Sequence, residues 1–353
     1  MKKFGIFSGF LGSGKTTTLI ALTKTYTEKY GKAAMISNDL GHGVSLADNR
    51  LAKFQGCNAS EITEDCICYK QEELADRLNA CFEDGCDLVL SDIPGFGVGA
   101  LEHVYHGLNE KYPGKYQFAP FTVIIEPDTV AQLIENRNDD LEFILSMQLE
   151  EADLIVLNKC DTIEQQKIGD YSLWLEEQYP SATILPISAV SGEGLEELSL
   201  AMKEKNASMR RIAIDYSNQR FIASMASLSE YYIQFHTSVC CNTFDGNTYL
   251  LDIATQMQQK LKASGADVPH LKLLAWGPEG DYGKADLIGV DRPVVQTKQF
   301  EKPCTDLAVI LNASAICQGR QFQKLMQDTL ESVSEKYQLE SIFFKEECFD
   351  MGE

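Results

Sequence analysis

The sequence lacks any stretch near the roughly 18 consecutive apolar residues needed to cross a bilayer, which argues against an integral membrane protein. It is also poor in basic residues, because 31 lysines and arginines face 52 acidic residues and leave a formal net charge of −21. Phosphate backbones and anionic membranes repel such a chain, so we expect neither nucleic acid nor a membrane among its partners. With only five histidines, the chain has no histidine-rich tract that could store metal.

No secretory leader is expected either, because the apolar run after Lys2 and Lys3 is interrupted by a glycine-rich loop. Eleven cysteines at irregular spacing therefore indicate reduced thiols in a cytoplasmic protein rather than a disulfide framework. The hydrophobic fraction of 44% and the charged fraction of 24% are typical of a globular protein. A length of 353 residues suggests two domains or three.

Short apolar segments alternate with helical patterns through the first part of the chain. Strands are predicted at residues 3–8, 33–37, 87–91, 121–125, 154–157 and 184–187. Continuous apolar strands separated by helices are typical of a parallel sheet that is covered by helices on both faces. We therefore predict an α/β domain over residues 1–205.

A polar stretch at residues 203–208 marks the predicted linker, and the pattern changes after it. From residue 209 onward the predicted elements follow the order β-α-β-β-(β)-α-β. This order suggests a smaller ferredoxin-like α+β domain over residues 209–353.

The segment Gly9–Thr16 fits the phosphate-binding pattern G-x-x-x-x-G-K-[ST] in full, between an apolar strand and a helix. Backbone N–H groups of such a loop surround phosphates, and the helix N-terminus adds partial positive charge. Lys15 is predicted to reach the β- and γ-phosphates, and the Thr16 hydroxyl is predicted to hold Mg²⁺. The predicted nucleotide-binding residues of this segment are Gly9, Gly12, Ser13, Gly14, Lys15, Thr16 and Thr17.

The tetrapeptide Asn158-Lys159-Cys160-Asp161 ends a buried strand and predicts guanine specificity. A carboxylate at Asp161 can accept hydrogen bonds from the guanine N1–H and 2-amino groups, a donor pair that adenine lacks. Ser188 and Ala189 follow the next strand and are predicted to contact the guanine oxygen through their backbone. The predicted nucleotide is therefore GTP, exchanged with GDP.

Asp92-Ile93-Pro94-Gly95 forms a D-x-x-G pattern after the third predicted strand. Asp92 is predicted to hold Mg²⁺ through water, and the Gly95 N–H is predicted to contact the γ-phosphate. The next residue, Phe96, cannot orient an attacking water, so intrinsic hydrolysis should be slow unless another group or a partner helps. Asp39, at the end of the second strand, is a further candidate for holding Mg²⁺ or positioning water, which makes Lys15, Asp39 and Asp92 the catalytic candidates.

Cys66 and Cys68 lie in a predicted short acidic loop that begins with Glu61-Ile62-Thr63-Glu64-Asp65 and precedes a predicted helix. Two thiolates one residue apart can bind one soft cation such as Zn²⁺ or another transition metal. Two ligands do not complete the coordination of such a cation. Further ligands would have to come from Cys57, Glu64, Asp65 or a partner subunit. The alternative is a pair of ordinary reduced cysteines.

With these motifs, residues 1–200 resemble the CobW-type GTPases, relatives of HypB, UreG and MeaB. The resemblance rests on the segments Ser8–Thr17, Asn38–Gly41, Cys66–Cys68 and Glu151–Asp161. It implies a P-loop NTPase domain that hydrolyses GTP and couples hydrolysis to delivery of a metal or metal cofactor to a client protein. It also implies a smaller C-terminal α+β domain.

Two positions depart from the family pattern. The family motif usually reads C-x-C-C, and Tyr69 stands in the third cysteine position. The family usually has glutamate where this chain has Asp92. The departures suggest a divergent branch.

Two other functions stay open at this stage. In one, the protein acts like MeaB and gates cofactor loading into a cobalamin or corrinoid enzyme without binding metal itself. In the other, it is a regulatory switch whose C-terminal domain binds a protein partner. For each of these functions, the protein could act as a homodimer that forms in response to the bound nucleotide.

Overall fold

The computed structural model describes residues 2–41, 47–135, 140–240 and 242–352. The chain divides into two compact units, of which the first consists of Met1–Leu40 and Asp48–Phe221 and the second of Gly41–Ala47 and Ile222–Glu353. The boundary at residues 205–209 stays a prediction. No helix among the described residues is long and apolar enough to span a membrane.

The first unit contains an eight-stranded sheet in which every described pairing is parallel. Its strands run in the order β3-β2-β4-β1-β6-β7-β8, and β5 pairs with β1. The strands are β1 (Lys3–Ser8), β2 (Ala33–Asn38), β3 (Ala59–Ile62), β4 (Leu88–Asp92), β5 (Gln117–Phe118), β6 (Thr122–Ile125), β7 (Leu154–Leu157) and β8 (Thr183–Pro186).

Helices accompany these strands in alternation. They are α1 (Lys15–Lys29), α2 (Ala47–Phe54), α3 (Gln71–Glu83), α4 (Gly107–Lys111), α5 (Pro127–Glu135), α6 (Asp140–Glu151), α7 (Gln165–Gln178) and α8 (Leu195–Glu204). A π-helix over Leu101–His106 leads into α4, and a 3₁₀-helix covers Cys160–Thr162.

The central strands are buried along their whole length, which explains their continuous apolar sequences. Because parallel strands point the same way, the carboxyl ends of β1, β2 and β4 meet at one edge of the sheet. Ligands of open α/β sheets bind at this edge. Ser8, Asn38 and Asp92 are the last residues of these strands.

The second unit holds a six-stranded sheet in the order β12-β11-β10-β13-β9-β14, with every described pairing antiparallel. Its elements are α9 (Gln219–Ala226), which begins before the boundary between the units, β9 (Leu228–Ser238), α10 (Gly246–Ala263), β10 (Asp267–Trp276), β11 (Tyr282–Leu287), β12 (Val295–Lys298), β13 (Asp306–Ile316), α11 (Gly319–Lys336) and β14 (Glu340–Asp350). Without the β11–β12 hairpin, the order is that of two interleaved β-α-β units, as in ferredoxin-like domains.

The predicted fold class, a parallel α/β domain followed by an antiparallel α+β domain, is confirmed. One local prediction was wrong: Glu61 and Ile62 lie in strand β3, not in a loop before the cysteine pair. β3 pairs with β2 at the edge of the sheet, where Met35 faces Ala59. Only Ile62 of the four residues is buried, so this strand has no apolar run that a sequence pattern could detect.

Candidate functional site

The predicted phosphate-binding loop connects β1 to the start of α1. Gly14 adopts φ 93°, and a Cβ at this position would lie 2.3 Å from Nδ2 of Asn158. Gly9 adopts φ 131°, and its Cβ would lie 2.2 Å from the carbonyl oxygen of Ile124 in β6. Both positions therefore require glycine, for conformation and for space.

The Lys15 ammonium donates hydrogen bonds to the carbonyl oxygens of Gly9, at 2.6 Å, and Phe10, at 3.2 Å. It lies in the first helical turn, and its charge is directed into the loop. Ser13 is buried beside it and Thr17 is exposed. The loop thus has the cationic and backbone groups that phosphate binding requires.

Three carboxylates are candidates for this site: Asp48 at the start of α2, and Asp39 and Asp92 at the ends of β2 and β4. Thr16 donates its hydroxyl hydrogen bond to Oδ2 of Asp48 at 2.6 Å, and Asp48 is in the first turn of α2. The buried carboxylate of Asp92 accepts the backbone N–H of Asn38 at 2.8 Å. Asp39 is half-buried and accepts the N–H of Leu40 through its own side chain.

Asp48 was missed by sequence reasoning. It is separated from Thr16 by 32 positions, and no motif identifies it. The only sequence signal is an acidic residue in the first turn of a short helix, a common feature of helices without a role in binding.

Asn158 joins the two nucleotide motifs. Its Nδ2 donates to the carbonyl oxygen of Ser13 at 2.9 Å, and its Oδ1 accepts the N–H of Ala189 at 3.1 Å. The side chain is buried, so these bonds are shielded from water. The phosphate-binding loop and the segment Ser188–Ala189 are thereby fixed to the end of β7.

The neighbouring residues present Asp161 to solvent. Lys159 adopts the left-handed φ of 63° and forms an ion pair with the buried carboxylate of Glu126. Asp161 is exposed in the 3₁₀-helix that follows. Lys159 is thus held by Glu126, a partner that the sequence did not indicate.

The two sulfurs of Cys66 and Cys68 lie 2.7 Å apart, within hydrogen-bonding reach. The hydrogen bond between the two sulfurs lowers the pKa of Cys66 and raises the pKa of Cys68. The backbone N–H of Cys68 also donates to Sγ of Cys66 at 3.4 Å. The two sulfurs are therefore close enough for one soft cation to bind both of them.

Among the residues that the structure describes, none is placed as a third protein ligand at this pair. Within the described ranges, no group of three or more histidine, cysteine, aspartate or glutamate side chains is arranged to hold a metal ion. Cys57 directs its sulfur towards the carbonyl of Ile20, and Glu64 pairs with Lys70 at 3.0 Å. Cys57 and Glu64 thus have other contacts in the described structure, and which of the alternatives completes the site stays a prediction. Asp65 accepts the N–H of Cys66 through Oδ1.

Asn38 connects the cysteine loop to the predicted phosphate side. Its Nδ2 donates to the carbonyl oxygens of Ile62 and Asp65 at 3.1 and 2.9 Å, and its Oδ1 accepts the N–H of Ile67 at 3.0 Å. Its backbone N–H is the one bound by Asp92. One buried residue thus contacts both the loop that carries the thiols and the carboxylate that is predicted to hold Mg²⁺ through water.

The segment around Gly95 packs against the phosphate-binding loop. A Cβ on Gly95 would lie 2.4 Å from Cδ2 of Leu11. The ring of Phe96 is buried and meets that of Phe10 edge to face, with centroids 5.3 Å apart. The position next to Gly95 therefore has a packing role and offers no polar group.

A family model described as the CobW/HypB/UreG nucleotide-binding domain matches residues 4–186. This match covers more than half of the chain. The resemblance inferred from the motifs is thereby confirmed.

Curated relatives align over shorter stretches. GTPase Obg of Natranaerobius thermophilus is 30% identical over 142 residues, which are 36% of this chain and 30% of that protein. GTPase Era of Pseudomonas fluorescens is 28% identical over 112 residues, which are 28% of this chain and 37% of that protein. The chain thus spans about a third of the length of these relatives.

Solved structures of similar proteins include HypB from Helicobacter pylori in complex with nickel and the Zn(II)-bound YjiA GTPase from E. coli. The HypB comparison has 19% identity and a TM-score of 0.41, and covers 57% of this chain and 86% of that one. The YjiA comparison has 12% identity and a TM-score of 0.35, and covers 93% of this chain and 98% of that one.

Proposed function

The chain belongs to the CobW/HypB/UreG family of nucleotide-binding proteins, and we propose that it is a GTPase that couples GTP hydrolysis to the delivery of a metal or metal cofactor to a client protein. The observation that carries this proposal is the double attachment of Asn38. A change at Asp92 that moves the Asn38 backbone would also move the loop of Cys66 and Cys68.

GTP is bound between the glycine-rich loop and the Asp161 segment. The loop N–H groups and Lys15 bind the phosphates, and Gly95 contacts the γ-phosphate through its N–H. Asp161 pairs with the guanine edge, while Asn158 holds the two halves of the site together. Lys159 flanks the base and is held in place by Glu126.

The residues near Thr16 fit Mg²⁺, because a hydroxyl and carboxylates are the hard oxygen ligands that this ion takes. Thr16, Asp92 and Asp39 would hold it, directly or through water. Asp48 already binds the Thr16 hydroxyl and would orient it. Bound Mg²⁺ would neutralise charge that develops on the phosphates.

Hydrolysis by the chain alone is slow, because Phe96 cannot orient the attacking water. A client or another bound partner then accelerates the reaction. This dependence suits a delivery protein, in which hydrolysis should follow the encounter with its target.

The cargo is a soft cation such as Zn²⁺ or another transition metal, held by Cys66 and Cys68. Since the described part of the chain supplies no third ligand, a second subunit or the client completes the coordination. A nucleotide-dependent homodimer in the cytoplasm is one way to bring a second subunit to the pair.

The same incomplete ligand set favours a second candidate function. In it, the protein gates cofactor loading of a cobalamin or corrinoid enzyme, as MeaB does, and the thiols carry no metal. Elemental analysis of the GTP-bound protein separates the two, because only the first requires a stoichiometric transition metal.

The function is tested by titrating Zn²⁺ calorimetrically into the GDP-bound protein and the protein bound to a non-hydrolysable GTP analogue. Coupling free energies between two sites are typically about 1–3 kcal/mol, so the two affinities should differ by about 5- to 150-fold. Equal Zn²⁺ affinity in the GDP and GTP-analogue states would show that metal binding is not coupled to the nucleotide. That result would contradict the proposed delivery function.

The Asp161 carboxylate should give a preference for GTP over ATP of at least about 100-fold, or about 2.7 kcal/mol. Adenine would leave the carboxylate without its two donors. Asp161→Asn should shift the preference towards xanthosine nucleotides, because an amide can donate to the 2-oxo group. Competition against labelled GTP measures both effects.

Asp170→Asn, at an exposed position of α7, is the matched control and should keep the preference for GTP. Displacement of labelled GTP by ATP at similar concentrations would contradict the base assignment.

A further inference from the structure

The loop that follows Asp92 is bound by a side chain from outside the predicted nucleotide motifs. Gln148, on α6, donates hydrogen bonds from Nε2 to the carbonyl oxygens of Gly95, at 3.0 Å, and Gly97, at 2.9 Å. The side chain is completely buried, with 0% exposure. These bonds join residues more than 50 positions apart, so they are a tertiary feature.

The other end of the Gln148 amide is unusual. Its Oε1 is buried and has no hydrogen-bond partner among the described residues. Burying an amide oxygen without a partner costs free energy, and a methionine of similar length would avoid that cost. Packing alone therefore does not explain a glutamine here, and the two donated hydrogen bonds are the feature that only an amide provides.

One turn further along α6, Glu151 binds the continuation of the same loop. Its carboxylate accepts the N–H of Gly99 at 2.8 Å and the N–H of Leu101 at 3.2 Å. Gln148 thus binds carbonyl groups of the loop, and Glu151 binds backbone N–H groups of the loop. Helix α6 thus constrains the whole segment from residue 95 to residue 101.

The loop needs such a constraint because of its composition. Gly95, Gly97 and Gly99 have no side chains, and glycine loses more conformational freedom on ordering than any other residue. Phe96 contacts Phe10 but offers no hydrogen bond from its side chain. The position of the backbone is therefore set largely by partners from another element.

We propose that Gln148 is a positioning residue for GTP hydrolysis, which fixes the Gly95 and Gly97 carbonyls so that the Gly95 N–H faces the γ-phosphate. The inference rests on the role proposed above for Gly95. A donor fixed in place before the reaction stabilises developing charge without reorganising, whereas a mobile donor loses most of this effect. GDP has no γ-phosphate, so its binding does not depend on Gln148.

The decisive variant is Gln148→Met, which keeps the length of the side chain and removes both donors. The affinity for a non-hydrolysable GTP analogue should fall on the order of 10- to 100-fold, and single-turnover hydrolysis should fall by a similar factor. The affinity for GDP should stay within about 3-fold of the unmodified protein. Calorimetric titration and phosphate release measure these quantities.

Gln148→Glu is the second variant, and it tests the same two hydrogen bonds if the methionine variant does not fold. It is nearly isosteric but places a carboxylate against two carbonyl oxygens, so the loss for the GTP analogue should be at least as large. Glu150→Gln, at an exposed position of the same helix, is the control and should leave all values unchanged.

Two results would overturn the proposal. The first is an equal loss of GDP and GTP-analogue affinity with a lower melting temperature, which would assign Gln148 to packing only. The second is an unchanged ratio of the two affinities in both variants.

Gly95→Ala separates this inference from the proposed function, because the new Cβ would meet Leu11 and displace the loop. If Gly95→Ala leaves the ratio of GTP-analogue affinity to GDP affinity unchanged, Gly95 does not contact the γ-phosphate and the proposed site is wrong. If Gly95→Ala loses the ratio while Gln148→Met keeps it, only the role of Gln148 fails.

Discussion

Replacing Lys15 by alanine should abolish GTP hydrolysis, with a loss on the order of 10³-fold or more. The Lys15 ammonium is the cationic side chain that the loop directs onto its own carbonyls, at 2.6 Å from Gly9. With GTP bound, it would serve the β- and γ-phosphates, where negative charge develops during transfer. A phosphate-release assay measures the loss.

The fold should survive this change, because the side chain is only partly buried and belongs to neither hydrophobic core. Circular dichroism should show the helical content of the unmodified protein. Lys29→Ala is the matched control on the same helix. Lys29 is at the surface and pairs with Glu196, and exposed pairs contribute little to stability. Turnover at the normal rate in the Lys15→Ala protein would show that the active site is elsewhere.

The double change Cys66→Ser, Cys68→Ser should remove soft-metal binding. We expect Zn²⁺ affinity to fall by about 100-fold or more, because both thiolates are lost and a hydroxyl is a poor ligand for a soft cation. GTP affinity should stay within about 3-fold, since neither side chain belongs to the proposed nucleotide site. Calorimetric titration of Zn²⁺ and of GTP into the same preparation tests both expectations.

A second pair of cysteines provides the control. Cys81 and Cys86 lie in the first unit near Lys32, and the hydrogen bond to Cys81 lowers the pKa of Cys86 to about 7. The variant Cys81→Ser, Cys86→Ser should keep the Zn²⁺ affinity of the unmodified protein. If this control loses Zn²⁺ binding while the Cys66, Cys68 variant keeps it, the metal binds Cys81 and Cys86, and the site proposed at Cys66 and Cys68 is wrong.

The sequence alone determined the features that depend on local backbone structure. The glycines of the loop after β1, the lysine at the start of α1 and the buried strand before Asn158 are contiguous patterns, and each defines a backbone conformation by itself. The alternation of apolar strands and helices likewise predicted a parallel sheet, since only that arrangement covers such strands on both faces. The roles of individual residues in the proposed nucleotide site stay predictions.

Tertiary structure decided which distant side chains join these motifs. Asp48 reaches Thr16, Glu126 reaches Lys159, and Gln148 reaches Gly95, and each of these pairs is separated by more than 30 positions. A carboxylate or an amide on a helix has no periodic signature, because its role depends on which strand end the fold places opposite it. The edge strand β3 escaped prediction for a related reason: its pairing with β2 orders it, although its four residues contain a single buried apolar side chain.

The cysteine pair shows the same division. Its spacing predicted that two sulfurs can meet, and local geometry places them 2.7 Å apart. Whether further ligands join depends on the directions of Cys57, Glu64 and Asp65, and the fold turns these side chains to other partners. Spacing along the chain limits the distance between neighbouring residues, but the packing of whole elements sets the direction of every more distant side chain.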